Sequence, residues 1–390
     1  MKTPYFLISE EKLCENIYAF KSALKLLWPN SRLGYSVKTN SLPWLLKYLR
    51  KHDIVAEVVS DEEYRLALLC GYSDEDIIFN GPIKGESQFA HAVRNGATVN
   101  LDSLSDLTHL CQYCTDPHNT IGIRVNVPPE AFNPSDIDYM KDGFRFGFSV
   151  ENGAFSRVLE LIRDQYGKDV HIGLHLHCNS ITRSLDVYKS VSIYAANLIN
   201  KYNLVPSFID MGGGYFGGVP GKATPLDYLT TIHSILSKVV DTSKTALLLE
   251  PGSAIIGSVV DFHTSVLDCK DTDHARIVTT DGSRIHIDPL WSKSGYSYTL
   301  CTKNSKANIV SPRQIICGYT CMDHDRLMVL ENQPELSPGD EIVYHRIGAY
   351  SMTFGGMFIR YYPEVYVQEN GLIKMVRSRI SPENYLEINS

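Results

Sequence analysis

The chain has 390 residues, 44% of them hydrophobic and 21% charged, an ordinary globular composition with ample length for a large core. A formal net charge of -7 and an isoelectric point near 6.0 point away from nucleic acid and anionic membrane surfaces. No apolar run nears the roughly 20 residues of a membrane span. Glu10 and Glu11 interrupt the N-terminus before a signal-peptide apolar region forms, and nine scattered cysteines, an odd number without a framework, fit a reduced, cytoplasmic compartment.

In chain order, residues 4–8 open with a strand-like run. Eight short apolar, β-branched runs follow, at 33–37, 54–59, 77–79, 98–101, 121–125, 171–177, 208–211 and 246–249. Between most of them lie stretches with helical apolar spacing, at 42–48, 62–69, 158–162, 187–199 and 226–239. Strand and helix alternating eight times predicts an α/β fold, a (β/α)8 TIM barrel. After residue 256 the texture changes to strands at 259–267, 276–280, 342–347 and 364–368, with turns at Asp281-Gly282 and Ser337-Pro338-Gly339-Asp340. The expected division is a barrel over 20–255 and a β-rich barrel or sandwich over 256–390, which the strand in 1–19 joins.

The chemistry-bearing residues fall at the C-terminal ends of the barrel strands, the face where barrel active sites sit. Tyr35-Ser36-Val37-Lys38 ends the first strand on a lysine, which is either a solvent-facing side chain at a strand end or, where partial desolvation lowers its pKa, an amine suited to imine chemistry. His175 and His177 alternate along the sixth strand, a spacing that suits a metal, a core histidine or an imidazole stacked on an aromatic ligand. Asp210-Met211-Gly212-Gly213-Gly214 is either a tight βα turn or an anion cradle of backbone N–H groups. Leu249-Glu250-Pro251-Gly252 ends the eighth strand on a carboxylate that needs a partner, an arginine or a protonated pyridine nitrogen. Cys317 and Cys321, and Cys111 and Cys114, lack the second pair that a four-ligand metal site requires, so no metal is expected. Gly348-Ala349-Tyr350 follows a late strand.

Taken in order, Tyr-x-x-Lys, His-x-His-x-x-Ser, Gly-Gly-Gly, Glu-Pro-Gly, Cys-x-x-x-Asp and Gly-Ala-Tyr resemble the fold-type III pyridoxal-5′-phosphate (PLP) decarboxylases, the family of ornithine and diaminopimelate decarboxylases, over nearly the full length. The resemblance implies that Lys38 holds the cofactor as a Schiff base, His177 stacks on the pyridine ring and Glu250 pairs with its nitrogen. Ser180, the backbone of Gly212, Gly213 and Gly214, and Tyr350 would hold the cofactor's phosphate, and Gly252 would also bind the cofactor. A head-to-tail homodimer is implied, in which Cys321 enters from the other subunit to protonate the carbanion. Glu250, which favours a strong electron sink, speaks for decarboxylation over the racemisation of related enzymes. Three other readings stand beside it: a PLP racemase, a metal-dependent barrel hydrolase using His175 and His177, and a regulatory protein that has lost the cofactor.

The sequence departs from the family's pattern at four positions. Asn179 stands where glycine is usual, Glu57 where aspartate is common, and Ser253 where a phosphate-binding arginine follows Glu-Pro-Gly. Met322 stands where an acidic residue after the cysteine grips a distal amine, while Asp325 matches the family aspartate and Asp288 is an alternative carboxylate for substrate. Methionine cannot pair with a cation, so the expected substrate is an amino-acid head on a larger neutral or anionic tail, as in natural-product or siderophore pathways.

Overall fold

A computed structural model describes residues 1–117, 120–293, 295–303 and 309–390. The chain divides into two compact units, one of residues 16–255 and one that joins residues 1–15 to 256–390. Strand β1 (Tyr5–Ser9) belongs to the second unit.

The first unit is a closed barrel of eight parallel strands: β2 (Ser31–Ser36), β3 (Val55–Val58), β4 (Ile77–Phe79), β5 (Thr98–Leu101), β6 (Ile121–Asn126), β8 (Gly173–His175), β9 (Phe208–Asp210) and β10 (Ala246–Leu249). A two-residue strand, β7 (Phe148–Ser149), lies against β6. Pairing of β10 with β2 and of β5 with β6 closes the ring. The predicted barrel is therefore the observed one, with bounds shifted by up to two residues: the first strand begins at Ser31, the fifth runs to Asn126, and the sixth ends at His175, so His177 lies beyond it.

The helices between strands start where the sequence supplies a cap. Ser60, Ser103 and Ser184 each accept a backbone N–H from the first helical turn, and Thr224 forms a reciprocal capping box with Asp227, with Pro225 at the first helical position.

The barrel interior is layered. Val55, Ile78, Phe208 and Leu248 form an apolar floor. Two glycines make room for Phe208: a Cβ on Gly173 would lie 2.2 Å from its ring, and one on Gly122 would lie 2.9 Å from it. Above this floor the inward positions turn polar, as Glu57, Asn80, Asn100, His175, Asp210 and Glu250, all buried. Buried polar groups persist mostly when they satisfy one another, and Glu57, Asn80, Asn100, Asp210 and Glu250 do so through shared hydrogen bonds, while both ring nitrogens of His175 and Asn100 Oδ1 have no hydrogen-bond partner among the described residues.

The second unit is a mixed sheet. Its path runs β15 (Arg326–Pro334), β14 (Val310–Cys317), β12 (Arg276–Thr280), β11 (Val260–Asp271), β1, β17 (Glu364–Glu369) and β18 (Leu372–Arg377). Strand β16 (Glu341–His345) links β11 to β13 (Ser297–Cys301). The first strand of the chain sits inside this sheet, antiparallel to β11 and parallel to β17. Phe6 faces Phe262 across that pairing, with ring centroids 4.5 Å apart. The turn at Ser337–Asp340 closes as expected, with Asp340 N–H donating to Ser337 O at 3.0 Å and Gly339 at φ +94°.

Candidate active site

Lys38 stands on a single 3-10 turn, Val37–Thr39, directly after β2. The register that sets Ser36 beside Glu57 brings the Glu57 carboxylate under this turn. Its Oε2 accepts from Ser36 Oγ at 2.5 Å and pairs with Lys38 Nζ at 3.2 Å. The lysine side chain is 40% accessible, so the amine is anchored yet reachable. Gly252 packs directly onto this turn, since a Cβ there would lie 1.9 Å from Thr39 Oγ1. The glycine of Glu250-Pro251-Gly252 is thus required by the close approach of two strand ends.

Glu250, just past β10, lies beside Asp210 at the end of β9. Burial, then Asp210, then Glu57 push the Glu250 carboxyl well above the usual range. Burial pushes Asp210 up to about 6, against a hydrogen bond from Glu250 that favours its charge. The two carboxyls therefore share a proton near neutrality. Asn80 Nδ2 donates to Glu250 Oε1 at 2.7 Å and to Glu57 Oε1 at 3.0 Å. Asn100 Nδ2 donates to Asn80 Oδ1 at 2.9 Å and to Asp210 Oδ2 at 3.1 Å. One polar network thus runs from Lys38 to Asp210.

His177 has its ring 6.5 Å from that of His175, with the planes 9° apart. Burial, then the Arg124 and Lys38 cations, push His177 down to about 3, so its ring is neutral at physiological pH. The same causes hold His175 well below the usual range. Neutral His177 accepts the Gly213 N–H at Nδ1, 3.2 Å away. Gly212 takes φ +61°, and a Cβ there would stand 2.6 Å from the His177 ring; one on Gly213 would stand 2.5 Å from Glu250 O. Glycine is needed at both because the turn threads between the imidazole and the strand end. Gly214 follows at φ +93°, and the N–H groups of Gly214 and Tyr215 donate to no acceptor among the described residues. Ser180, in the loop after His177, accepts the Arg183 N–H at 3.2 Å.

The remaining predicted residues lie in the β-rich unit. Cys321 is exposed and Met322 half-buried in the turn between β14 and β15. Asp325 is buried beneath that turn, accepting from Ser283 Oγ, from Arg284 N–H at 3.0 Å and from Thr320 Oγ1 at 2.7 Å. Its carboxylate holds the turn that carries Cys321 and Met322. Asp288 is likewise committed, pairing with Arg284 at 2.9 Å and accepting the Ser292 and Lys293 N–H groups. Burial opposes its charge, but those bonds hold it below the usual carboxylate range. Tyr350 adopts a left-handed backbone, φ +53°, after Gly348.

Sequence reasoning passed over Asp210, Asn100 and Ser36. Asp210 was visible, since it opens the glycine run, but the glycines drew the reading. Nothing local distinguishes Asn100.

Comparison with known proteins follows from this geometry. The model of the family "Pyridoxal-dependent decarboxylase, pyridoxal binding domain" matches residues 11–257. The chain belongs to this family. It is 25% identical to a probable chloroplastic diaminopimelate decarboxylase of Oryza sativa over 99% of its own length and 79% of that protein's. It is 24% identical to an L-glutamyl-[BtrI acyl-carrier protein] decarboxylase of Niallia circulans, over 97% of this chain and 91% of the relative. The crystal structure of Helicobacter pylori diaminopimelate decarboxylase complexed with L-lysine superposes with a TM-score of 0.82 at 23% identity, over 100% of this chain and 97% of that one.

The chain is accordingly a PLP-dependent amino-acid decarboxylase. The residues present fit that cofactor: a reachable lysine amine, a neutral imidazole, two carboxyls sharing a proton, and unpaired backbone N–H groups beside them. The ligand atoms of His175, Asp210 and Glu250 lie within 4.8 Å of one another, a spacing that would also admit a metal ion. Family membership decides for the cofactor, and the hydrolase reading lapses with it.

Proposed function

We propose that this decarboxylase acts on an amino-acid head group carried on a larger neutral or anionic tail, and not on a free diamino acid. The observation that carries the reading is Met322, a thioether at the position that follows Cys321 in the exposed turn. The two carboxylates singled out in the sequence, Asp325 and Asp288, offer no substitute, because both are buried and already hydrogen-bonded, and Asp323, the exposed acid beside Met322, is displaced by one residue from the position after Cys321. The Niallia circulans relative, named for a glutamyl group on a carrier protein, lends the tail chemistry a precedent.

When bound, PLP supplies the electron sink that makes loss of CO2 from an α-amino acid feasible. Lys38 Nζ would hold the cofactor through its carbonyl carbon, and Glu57, 3.2 Å away, would fix the position of that amine. Glu250, backed by Asp210, would pair with the ring nitrogen and supply its proton. His177 presents a neutral face that neither repels a cationic ring nor competes for that proton. Cys321 Sγ, reaching the barrel of a second copy in a homodimer, or Lys38 Nζ returns a proton to Cα.

The test is CO2 release from L-ornithine, meso-diaminopimelate, L-lysine and a set of glutamyl or other aminoacyl conjugates. Turnover confined to conjugates is expected. Efficient turnover of a free diamino acid would overturn the substrate assignment.

A further inference from the structure

The short helix after Glu250-Pro251-Gly252 begins with Ser253, so that position carries no guanidinium for the cofactor phosphate. A phosphate still has acceptors to satisfy, and the unpaired Gly214 and Tyr215 N–H groups provide only two donors and no full charge. A cation is present beside the glycine turn. Arg183 adopts a left-handed backbone, φ +52°, which an arginine rarely takes. Two bonds hold it there: its N–H donates to Ser180 Oγ at 3.2 Å, and Tyr228 OH donates to its carbonyl at 2.7 Å. Tyr228 OH also accepts the Phe216 N–H at 3.4 Å, so the Arg183 backbone is tied to the strand of chain leaving the glycine turn. The Arg183 guanidinium lies over the Phe216 ring, 5.5 Å from its centroid, and Lys222 Nζ lies 5.3 Å from the same ring. Neither cation has a carboxylate partner among the described residues. The Arg183 charge also reaches the Tyr188 hydroxyl, which donates to Gly213 O at 2.8 Å. A strained arginine, fixed by the serine of His-x-His-x-x-Ser and tied through Tyr228 to the chain that leaves the glycine run, has no carboxylate partner among the described residues.

We propose that Arg183 supplies the cation that holds the phosphate group of PLP, in place of an arginine after Glu250-Pro251-Gly252. The guanidinium fork offers two parallel donors to phosphate oxygens, and the Gly214 and Tyr215 N–H groups complete the cradle. This rests on PLP being the cofactor.

The test is cofactor affinity, read without turnover. Wild-type protein, Arg183→Gln and Arg183→Lys are stripped of cofactor, checked for equal thermal unfolding, and titrated with PLP and with pyridoxal, which lacks the phosphate. Arg183→Gln is expected to weaken PLP binding by about 10- to 100-fold while leaving pyridoxal affinity unchanged, and Arg183→Lys to fall between. Added inorganic phosphate should compete with PLP in the wild type and less so in Arg183→Gln. Equal losses for PLP and pyridoxal would reduce Arg183 to a structural role, and an unchanged PLP affinity would overturn the proposal outright. Wild-type protein that binds neither compound would instead refute the cofactor itself.

Discussion

Asn80 donates to Glu250 Oε1 at 2.7 Å and, from the same nitrogen, to Glu57 Oε1 at 3.0 Å. A neutral amide thus joins the carboxylate beneath Lys38 to the carboxyl at the end of β10. Without it, two buried acids would face each other across an empty position. Asn80→Ala is expected to lower kcat/KM by about 10- to 100-fold and to cost about 1–3 kcal/mol of stability from unsatisfied buried oxygens. Steady-state kinetics and a urea melt check both, and a variant as active and stable as wild type would contradict the network's role.

In the proposed function, Glu250 is the group that stabilises charge on the ring. Glu250→Gln keeps the shape and the hydrogen-bonding capacity but not the acid, and kcat should fall by about 10³-fold with cofactor still bound. Rapid-quench kinetics on the loaded variant separate this from poor binding. Normal turnover would remove the electron-sink argument.

The shared proton predicts a pH signature. Asp210 titrates at about 6 in the folded protein against an ordinary 3.8, so the folded state holds a proton that the unfolded chain has lost in between. Stability from this group is full below about pH 4 and declines as pH rises through about 6. Glu250, also raised, acts in the same direction. Asp210→Asn removes part of this decline, so in cofactor-free protein its urea midpoint should gain on wild type as pH goes from 4 to 7. A difference that is flat or narrows over that range would contradict the assignment.

Much of this was legible in the sequence. The barrel was readable because each strand is a short β-branched run, and the helices between begin at serine or threonine caps such as Ser60 and Thr224. Lys38, His177, Gly212 and Glu250 were readable because strand ends on one barrel face carry chemistry. Asn100 and Asp210 were not, because their meaning comes from closure: residues 110 positions apart meet only when β5, β6, β8 and β9 complete the ring. Strands β14 and β15 also escaped notice, as alternation is masked where Arg313, Gln314 and Glu331 interrupt the apolar pattern. Asp325 and Asp288 looked like substrate carboxylates in the sequence, and only burial shows what each already holds.

Gly252 gives a steric test. Gly252→Ala sets a methyl group against Thr39 and should displace the turn that carries Lys38. A stability loss of about 1–3 kcal/mol is expected from overpacking, together with slower cofactor uptake. Thermal unfolding and uptake kinetics matching wild type would show that the turn tolerates the shift.

The central claim is that Lys38 carries the cofactor in a decarboxylase site. The measurement that tests it most directly is the visible spectrum of purified protein before and after borohydride, with the mass of the Lys38 peptide. A yellow band that borohydride abolishes, and a phosphopyridoxyl mass on Lys38, are predicted. A protein that stays colourless with added PLP, or a label on another lysine, would contradict the account.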